Sequence, residues 1–493
     1  MFSSFACFAI LNALMDRREF IKGSAWMGAL AAFSGCCAGR LGFGAGGSMY
    51  GFVEKPMRRV RVGILGVGNR GIGAVHRIAM VPGCEVTVIC DKKQERLDLA
   101  AAWFAKEKIR APKAFCGEEA WKAVTDGDLC DVIYICTPWQ FHTPQTVRAM
   151  ENGKIALCEI PCAMTVEDCW CLVETCERTR RPCMVLENCC YGEVELLGIR
   201  LAHSGRLGEI VHGEGGYIHD LRKICATDWV GEHEWRYDWN RDHVGNLYPN
   251  HGILPLMQAM DVNRGDCFDY LVSLDSKEAN RSAYIRARLP ADHPRQGDVL
   301  QGGNMNLTLI RTRGGKSILL NHDICSPRPY SRTNLLSGTK GIFWGMPWRR
   351  PGGINDLFQI GFEEEPGKGI PDFMPREEAE RFRVEHGSPI WKKAGELAKT
   401  VGGHGGQDFI MDLRWAYCLQ NGIPLDLDVY DAAASSCLCE LTERSVRNRS
   451  RAEDIPDFTR GALRTMAPVG EIDVDLAKLD LRRARKDEAQ ITI

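Results

Sequence analysis

The sequence predicts an α/β protein whose N-terminal half contains a doubly wound parallel sheet. Short apolar runs typical of buried strands alternate with stretches long enough for helices, and a glycine-rich turn joins the first strand to the first helix. Strands that alternate with helices pair in parallel, because each crossover returns the chain to the same end of the sheet. The chain has 493 residues, which at about 150 residues per domain suggests two or three domains.

Composition excludes several classes of protein. Hydrophobic residues make up 45% of the chain and charged residues 26%, values that argue against a disordered, collagen-like or multi-span membrane protein. The net charge is −2, from 62 basic and 64 acidic residues. Because neither sign of charge is in excess, we expect no nucleic-acid partner and no attraction to an anionic membrane surface.

The 22 cysteines predict neither a disulfide framework nor a metal centre. The chain is too long for a small disulfide scaffold, and it contains no C-x-x-C pair. We therefore expect no metal site and expect most cysteines to be small buried hydrophobic residues. The closest groupings, none with the spacing of a structural zinc site, are Cys169/Cys171, Cys189/Cys190 and Cys437/Cys439.

The N-terminus is similar to an export signal. Residues 15–22 read MDRREFIK, and a short run of apolar and small residues follows. Paired arginines before such a run resemble a twin-arginine signal, whereas the run is too short for a confident transmembrane helix; a frayed basic terminus is the alternative. Cys36 ends a degenerate lipoprotein box and is the one expected lipid anchor. We assign residues 1–56 to the signal and leader and predict a periplasmic or envelope location.

The first strand and its turn predict a dinucleotide site. VRVGIL at 60–65 is followed by GVGNRG, which places Gly66, Gly68 and Gly71 in G-x-G-x-x-G spacing. A helix over about 70–80 and a strand ending at Asp91 complete the fingerprint. The glycines allow close approach of a pyrophosphate, and the helix N-terminus supplies amide donors. The Asp91 carboxylate favours NAD over NADP, although neighbouring lysines at 92 and 93 weaken that preference.

The alternation of strands and helices continues to residue 188, so we place the dinucleotide-binding domain at 57–188. Further strands are predicted at 131–136, 155–158 and 183–188, with helices at about 142–152 and 165–180. Ligands of a doubly wound sheet lie beyond the carboxyl ends of its strands. Thr137–His142, Glu159 and Asn188 fall at those ends.

This order of elements resembles the Gfo/Idh/MocA family of nicotinamide-dependent sugar oxidoreductases over roughly residues 58–450. The resemblance implies a Rossmann domain followed by a C-terminal α/β domain with an open, mainly antiparallel sheet that carries the substrate site. We place that domain at 189–450, with helices at 405–420 and 428–447, and a tail at 451–493 whose charges near its end predict an exposed segment or short helix. The second sheet is also compatible with a homo-oligomer.

One position separates the branches of that family. The common oxidoreductases carry Glu-Lys-Pro after the fifth strand, with the lysine as proton donor, whereas Glu159-Ile160-Pro161 stands here. Isoleucine cannot transfer a proton, and the departure resembles glycoside hydrolase family 109, which binds NAD and hydrolyses N-acetylgalactosaminides. Motifs that fit this branch are the twin-arginine leader, LENCCYG at 186–192, GEGGYIHDLR at 213–222, GNLYPNHG at 245–252, SPRPYSR at 326–332 and GGHGGQDFIMD at 402–412.

The resemblance implies two sets of site residues. Beside the three glycines, the implied NAD contacts are Asn69, Arg70, Asp91, Trp139, Gln140, Phe141, His142, Glu159, Ile160 and Asn188. The implied substrate site is Tyr217, Arg236, Tyr248, Pro249, Asn250, His251 and Tyr330. Three positions depart from the family pattern: Gln140 stands for glutamate, Asn250 for threonine and Cys190 for asparagine. These departures leave substrate preference, and activity itself, open.

The implied chemistry differs from the usual pair of carboxylates. It runs through oxidation at C3 of the sugar, deprotonation at C2, elimination, water addition and re-reduction, so that NAD is a recycled cofactor. Tyr248 and His251 precede an apolar run that predicts a helix, and on its first turn they would share a face. Our hypothesis gives them the proton transfers without dividing the roles. Arg236 would lower the pKa of the tyrosine or polarise the ketone oxygen.

Other side chains have plainer interpretations. Tyr217 and Tyr330 are expected to line a sugar pocket and hydrogen-bond to the sugar. The alternative for Tyr217, Tyr248 and Tyr330, taken without the resemblance, is that they are ordinary half-buried tyrosines. His404 lies in a glycine-rich segment that predicts a flexible loop near the site. Asp408 is expected to cap the helix that begins near it.

Three classes of function stay open at this point. The first is an NAD-dependent α-N-acetylgalactosaminidase, whose partner is a glycan or glycoconjugate with terminal N-acetylgalactosamine. The second is an NAD-dependent sugar dehydrogenase with net turnover, which the absent lysine disfavours. The third is a cofactor-holding sugar-binding protein without catalysis, which the altered Gln140 and Asn250 keep open.

Overall fold

The computed structural model describes residues 47–226, 233–348, 357–363, 365, 367–369 and 372–478. The predicted export signal and the candidate anchor Cys36 lie outside these residues, as does the end of the predicted tail. The described residues belong to one compact unit, Gly47–Ile493. No helix within the described ranges is long and apolar enough to cross a membrane. Most of the cysteines in these ranges are buried, as expected.

The first sheet has six parallel strands in the spatial order β3-β2-β1-β4-β5-β6, which confirms the predicted Rossmann sheet. Its strands are β1 (Val60–Leu65), β2 (Cys84–Asp91), β3 (Lys113–Cys116), β4 (Val132–Ile135), β5 (Ile155–Cys158) and β6 (Cys183–Val185). The helices between and after them are α1 (Asn69–Met80), α2 (Gln94–Lys106), α3 (Ala120–Asp126), α4 (His142–Glu151) and α5 (Val166–Thr179).

Sequence and structure differ mainly where strands end. β4 and β6 end before the predicted strands do, and Cys136 and Asn188, which lie beyond those ends, line a cavity. The edge strand β3 had no signal in the sequence. Its four residues are largely exposed, so it lacks the apolar pattern that marks a buried parallel strand.

The second sheet is open and mainly antiparallel, as expected. Its spatial order is β13-β12-β11-β7-β10-β9-β8-β14, and among the described strands the β7–β10 pair is the parallel one. The strands are β7 (Ile210–Ile218), β8 (Phe268–Asp275), β9 (Asn306–Thr312), β10 (Ser317–Asp323), β11 (Asn334–Gly338), β12 (Gly341–Gly345), β13 (Phe358–Phe362) and β14 (Glu453–Asp454).

Helices α6 to α14 accompany this second sheet. They are α6 (Glu193–His203), α7 (His233–Asp242), α8 (Asn250–Ala259), α9 (Asn280–Arg288), α10 (Arg376–His386), α11 (Pro389–Val401), α12 (Gln407–Asn421), α13 (Val429–Ser436) and α14 (Leu438–Arg447). The helix predicted over 428–447 is therefore two helices that meet at Cys437. The described tail is exposed at its end but not throughout, because Ile455, Phe458, Ile472 and Val474 are buried.

Helix α8 begins later than the sequence suggested. Pro249 is its N-cap residue, so Tyr248 precedes the first turn and only His251 lies on it. The expectation that both residues occupy that turn is wrong for Tyr248. Their rings still lie close together, with centroids 5.0 Å apart, because the residues before the helix turn Tyr248 towards His251.

A close contact between β7 and α8 brings the two elements of the site together. A Cβ atom on Gly215 would lie 2.2 Å from the carbonyl oxygen of Gly252, so the strand and the helix touch through bare backbone. This contact lets Tyr217 on β7 and His251 on α8 approach with their ring centroids 5.1 Å apart.

We expect the substitution Gly215→Ala to lower the free energy of unfolding by about 1–3 kcal/mol, because an added methyl must push α8 off the strand. Chemical denaturation of the purified protein measures this loss. Gly297→Ala is the control, since a Cβ there meets no heavy atom within 4 Å. Equal stability of the two variants would contradict the close contact.

Candidate active site

The carboxyl ends of the first sheet open onto a cavity of about 720 Å³ that the second sheet and its helices also border. Of the predicted cofactor residues, those lining the cavity are Gly66, Gly68, Asn69, Arg70, Asp91, Trp139, Gln140, Phe141, His142, Glu159, Ile160 and Asn188. Of the predicted substrate residues, those lining it are Tyr217, Arg236, Tyr248 and His251. One continuous cavity therefore joins both predicted sets.

The glycine turn has the geometry of a dinucleotide cradle. Gly66 has a φ of +81°, and a Cβ on Gly71 would lie 1.8 Å from the Gly66 carbonyl oxygen. Gly71 does not line the cavity, because it serves the contact between helix and turn. A Cβ on Gly68 would meet no heavy atom within 4 Å, so the backbone at the N-terminus of α1 faces open space where a pyrophosphate fits.

Asp91 closes the other side of this cradle. Its carboxylate accepts hydrogen bonds from the backbone N–H of Val67, at 2.7 Å, and of Lys93, at 2.9 Å. These bonds fix the carboxylate at the cavity wall, and a carboxylate has lone pairs left for ribose hydroxyls. The turn, the helix terminus and Asp91 together fit the adenosine and diphosphate parts of NAD.

Arg70 forms hydrogen bonds with two acidic residues that line the cavity. Its Nε donates to Glu159 at 2.6 Å and its Nη1 donates to Asp408 at 2.7 Å. Asp408 also accepts a hydrogen bond from Asn188 and lies 2.8 Å from Nδ1 of His404. The guanidinium thus links the first helix, the end of β5 and the first turn of α12.

Asp408 is not the helix cap that the sequence suggested. Gly406 is the N-cap residue of α12, with no side-chain capping bond, while the Asp408 side chain turns inward to Arg70. Burial alone would raise the pKa of Asp408, but Arg70, His404 and Arg77 hold that pKa well below its usual range. The carboxylate is therefore ionised at neutral pH.

Tyr248 lies in an aromatic cluster. Its ring stacks on Trp139 at 5.6 Å and lies 4.9 Å from the ring of Tyr217, and the guanidinium of Arg236 is 5.2 Å away. Burial raises the pKa of Tyr248 well above its usual value, and Arg236 offsets only part of that rise. Arg236 thus lowers the pKa of Tyr248 as expected, but burial outweighs it and the phenol stays protonated near neutral pH.

His251 is held by the turn that follows β6. Its Nδ1 lies 2.8 Å from Oε1 of the buried Glu187 and 3.2 Å from Sγ of Cys189. Glu187 and Cys189 had no role in the sequence interpretation, which treated LENCCYG only as a family motif. Contact with a cavity-lining histidine gives both residues a place in the site.

The Glu187, Cys189 and His251 ligand atoms lie within 4.8 Å of one another, which is a spacing that a metal could use. The contacts of these three residues indicate hydrogen bonding rather than metal coordination. The 2.8 Å between Nδ1 and Oε1 is a hydrogen-bond distance, and Nη1 of Arg332 lies 3.2 Å from the Cys189 sulfur. A guanidinium at that distance opposes a bound cation.

Three of the predicted substrate residues do not line the cavity. Asn250 is fully buried and its Nδ2 donates to Ser435 Oγ at 2.9 Å. Pro249 caps α8. Tyr330 packs behind His219, with their ring centroids 5.0 Å apart, and it is His219 that borders the cavity. Of the three departures from the family pattern, only Gln140 thus faces the cavity.

His404 lines the cavity and is more than half exposed. It has a φ of +48° between glycines that also have positive φ, which explains the glycine-rich segment. The expectation of a plain flexible loop missed its bond to Asp408. The spacing of the two residues, i and i+4 around a helix start, was the available signal.

Comparison with known proteins places this site in a family. Residues 191–465 match the family model described as glycosyl hydrolase 109, C-terminal domain, and residues 60–187 match the oxidoreductase family with an NAD-binding Rossmann fold. The chain belongs to glycosyl hydrolase family 109. Both the predicted family and its wider Gfo/Idh/MocA relationship are confirmed, and the protein is a glycoside hydrolase with an NAD-binding domain.

Relatives of similar length support this family 109 assignment. A glycosyl hydrolase family 109 protein of Solibacter usitatus is 41% identical over 458 residues, covering 92% of this chain and 99% of its own. A protein of Shewanella woodyi with the same family name is 41% identical over 86% of this chain and 90% of its own. An alpha-N-acetylgalactosaminidase of Shewanella oneidensis is 40% identical over 86% and 91%.

Solved structures share the fold of this family 109 protein at low identity. A levoglucosan dehydrogenase in complex with NADH and levoglucosan gives a TM-score of 0.60 at 18% identity, over 81% of this chain and all of that chain. An NAD binding oxidoreductase of Klebsiella pneumoniae gives 0.62 at 16%, over 81% and 99%. These likenesses concern the fold alone.

We expect Asp408→Asn to destabilise the protein by about 3–5 kcal/mol at pH 7, because it removes the charge that Arg70 and the buried Arg77 share and leaves each arginine only its second partner, Glu159 or Asp412. The folded-state pKa of Asp408 is lowered, so its stabilising effect is complete above the unfolded-state value of about 3.9 and is lost as pH falls below it. Denaturation curves at pH 7, 5 and 3.5 should show the wild-type advantage shrinking at the lowest pH.

Glu396→Gln is the control for this measurement, because Glu396 is a fully solvated partner of Lys399. Its effect should stay within about 0.5 kcal/mol at each pH. An Asp408→Asn protein as stable as the control would contradict the network.

We expect Asp91→Ala to weaken NAD binding at least about tenfold, since ribose hydroxyls lose their acceptor, and to narrow the difference between NAD and NADP. Calorimetric titration of both nucleotides checks this. Asp98→Ala on α2 removes a carboxylate away from the cavity wall and should change neither affinity. Unchanged NAD affinity in Asp91→Ala would refute this role.

Proposed function

We propose that the protein hydrolyses terminal N-acetylgalactosaminides with NAD as a recycled cofactor. The supporting observation is that one cavity runs from a dinucleotide cradle to Tyr248, His251 and His404, with Ile160 where an oxidoreductase would place a proton-donating lysine. The name of the Shewanella oneidensis relative supports the choice of sugar. NAD, when bound, would supply a reversible hydride acceptor for C3 of the sugar.

His251 is the base in this proposal. A ketone at C3 acidifies the proton at C2, so the site needs a group that accepts a proton near neutral pH, as histidine does. His251 lies at the cavity wall with Nδ1 engaged by Glu187, which leaves Nε2 to take the proton. Loss of the C1 leaving group by elimination follows, and water then adds to the unsaturated sugar.

Tyr248 and Arg236 hold the oxygen that carries charge during these steps. Because the phenol of Tyr248 stays protonated, it can donate a hydrogen bond to a developing enolate but cannot act as the neutral-pH base. The guanidinium beside it adds positive charge from the same side. The sequence hypothesis left the roles of Tyr248 and His251 undivided, and the proposal divides them in this way.

His404 is the acid for the departing group. It is the most exposed of the three proton-carrying side chains, with 54% of its side chain accessible, and it lines the cavity. Asp408, 2.8 Å from Nδ1 of His404, fixes the ring. Nε2 of His404 is then the nitrogen that can reach a leaving oxygen.

Hydrolysis in heavy water tests the reaction sequence. A chromogenic α-N-acetylgalactosaminide is supplied to the purified protein, and C2 of the released sugar is examined by proton NMR. We expect colour release with deuterium at C2 and no accumulating NADH. Release without deuterium would contradict C2 deprotonation by an exchanging base. No release, with NADH accumulating on free sugars, would favour the dehydrogenase alternative.

Substitutions test the assigned roles. We expect His251→Asn and Tyr248→Phe each to lower kcat at least about a hundredfold, the usual scale for such groups. Loss in His404→Gln should be larger for an unactivated glycan than for a nitrophenyl glycoside, which needs little acid assistance. His212→Gln and Tyr270→Phe, on the second sheet away from the cavity, should retain full turnover. Equal losses for both leaving groups in His404→Gln would refute its role.

We also propose export by the twin-arginine pathway, since a folded-protein route allows NAD to be loaded in the cytoplasm. The supporting feature is the pair Arg17-Arg18 before an apolar run. Cell fractionation should find the protein in the periplasm or envelope, and Arg17→Lys with Arg18→Lys should retain it in the cytoplasm. Unchanged export of the double variant would refute this route.

A further inference from the structure

Glu187 is a fully buried carboxylate that the proposed reaction does not yet use. It follows β6 by two residues, and 0% of it is exposed to solvent. Burying a carboxylate is costly unless it is paired and hydrogen-bonded. Its recorded partners are the backbone N–H of Cys189, at 2.7 Å, and Nδ1 of His251, at 2.8 Å. A buried charge directed at one histidine of the cavity calls for a functional explanation.

The charge state of Glu187 follows from these contacts. Burial would raise the pKa of Glu187, but the facing His251 and the N–H of Cys189 more than offset it, so the pKa lies below its usual value. The group is a carboxylate at neutral pH and can only accept hydrogen bonds. Nδ1 of His251 must therefore carry a proton, which leaves Nε2 unprotonated in the neutral ring.

The surroundings of His251 make Glu187 its one directly bonded anion within the described residues. The Cys189 thiol lies 3.2 Å from Nδ1, and burial raises the pKa of that thiol, so it is uncharged. The rings of Tyr217 and Tyr248 face the imidazole at 5.1 and 5.0 Å. The nearby cation, Arg332, is paired with Glu195.

Resting on the proposed function, we infer that Glu187 is a positioning residue that sets the tautomer of His251 and balances the charge of its imidazolium when Nε2 takes the sugar proton. The carboxylate acts through His251 and touches no substrate. The same oxygen, Oε1, also accepts the Cys189 N–H, so the backbone turn after the first sheet fixes the direction of the bond. A residue of the first domain thereby orients His251, which lies on helix α8 of the second domain.

The variants Glu187→Gln and Glu187→Ala separate charge from orientation. In Glu187→Gln an amide oxygen can still accept from both Cys189 and His251, so we expect the tautomer to persist while kcat falls about 30-fold or more with KM changed less than threefold. In Glu187→Ala both functions are lost, and added formate should restore part of kcat. Glu443→Gln is the matched control, because Glu443 pairs with Nδ1 of His243 at the same 2.8 Å away from the cavity.

Nitrogen-15 NMR of the full-length protein labelled in its histidines gives a readout independent of activity. His251→Asn assigns the resonance among the 12 histidines. We expect the Nδ1–H tautomer in the wild type and in Glu443→Gln, and its loss in Glu187→Ala. An Nε2–H tautomer in the wild type, or unchanged kcat in a folded Glu187→Gln protein, would overturn the inference. So would a stoichiometric metal on the purified protein that Glu187→Ala loses.

The two proposals fail separately. If the wild type releases no sugar but shows the Glu187-dependent Nδ1–H tautomer, the positioning role stands and the assigned reaction falls. If sugar is released with deuterium at C2 but the tautomer of His251 is unchanged in Glu187→Ala, only the positioning role of Glu187 is refuted.

Discussion

The buried carboxylate of Asp408 is the contact on which the rest of the site depends. It receives Arg70 from the first helix of the Rossmann domain, Asn188 from the turn after its last strand and His404 from a loop of the second domain. A buried carboxylate is costly unless it is paired and hydrogen-bonded, and these partners supply both kinds of contact. The Asp408 carboxylate therefore connects three segments that line the cavity.

Isoleucine in place of one lysine changes which residues of this fold are available to transfer a proton. Ile160 is 3% exposed and lies beside a cavity wall, where it excludes water but moves no proton. The proposed proton transfers then fall to side chains of the second domain. There the backbone contact between Gly215 and Gly252 brings β7, which carries Tyr217, against α8, which carries His251.

Local patterns explain how much of this arrangement the sequence could predict. The glycine turn, Asp91 and the strands around them were predictable because strand, turn and helix follow each other within a few dozen residues. The cavity wall of the second domain was predictable only through family resemblance. Asp408, Glu187 and the inward turn of Asn250 depend on partners between 64 and 338 residues away along the chain, and no spacing rule relates such distant positions. The edge strand β3 was not predicted for a different reason: its residues are largely exposed and show no apolar pattern.

The acids of the cavity also argue against the usual two-carboxylate mechanism. Glu159 and Asp408 both border the cavity, and they differ as an acid and a nucleophile would: burial raises the pKa of Glu159 despite Arg70, while that of Asp408 is lowered. Yet both carboxylates are bonded to the same guanidinium. The side chain of Asp408 is 1% exposed and its oxygens already receive Arg70, Asn188 and His404. An anomeric carbon cannot approach an oxygen so enclosed, whereas the imidazoles of His251 and His404 reach the cavity through nitrogens that their carboxylate partners leave available.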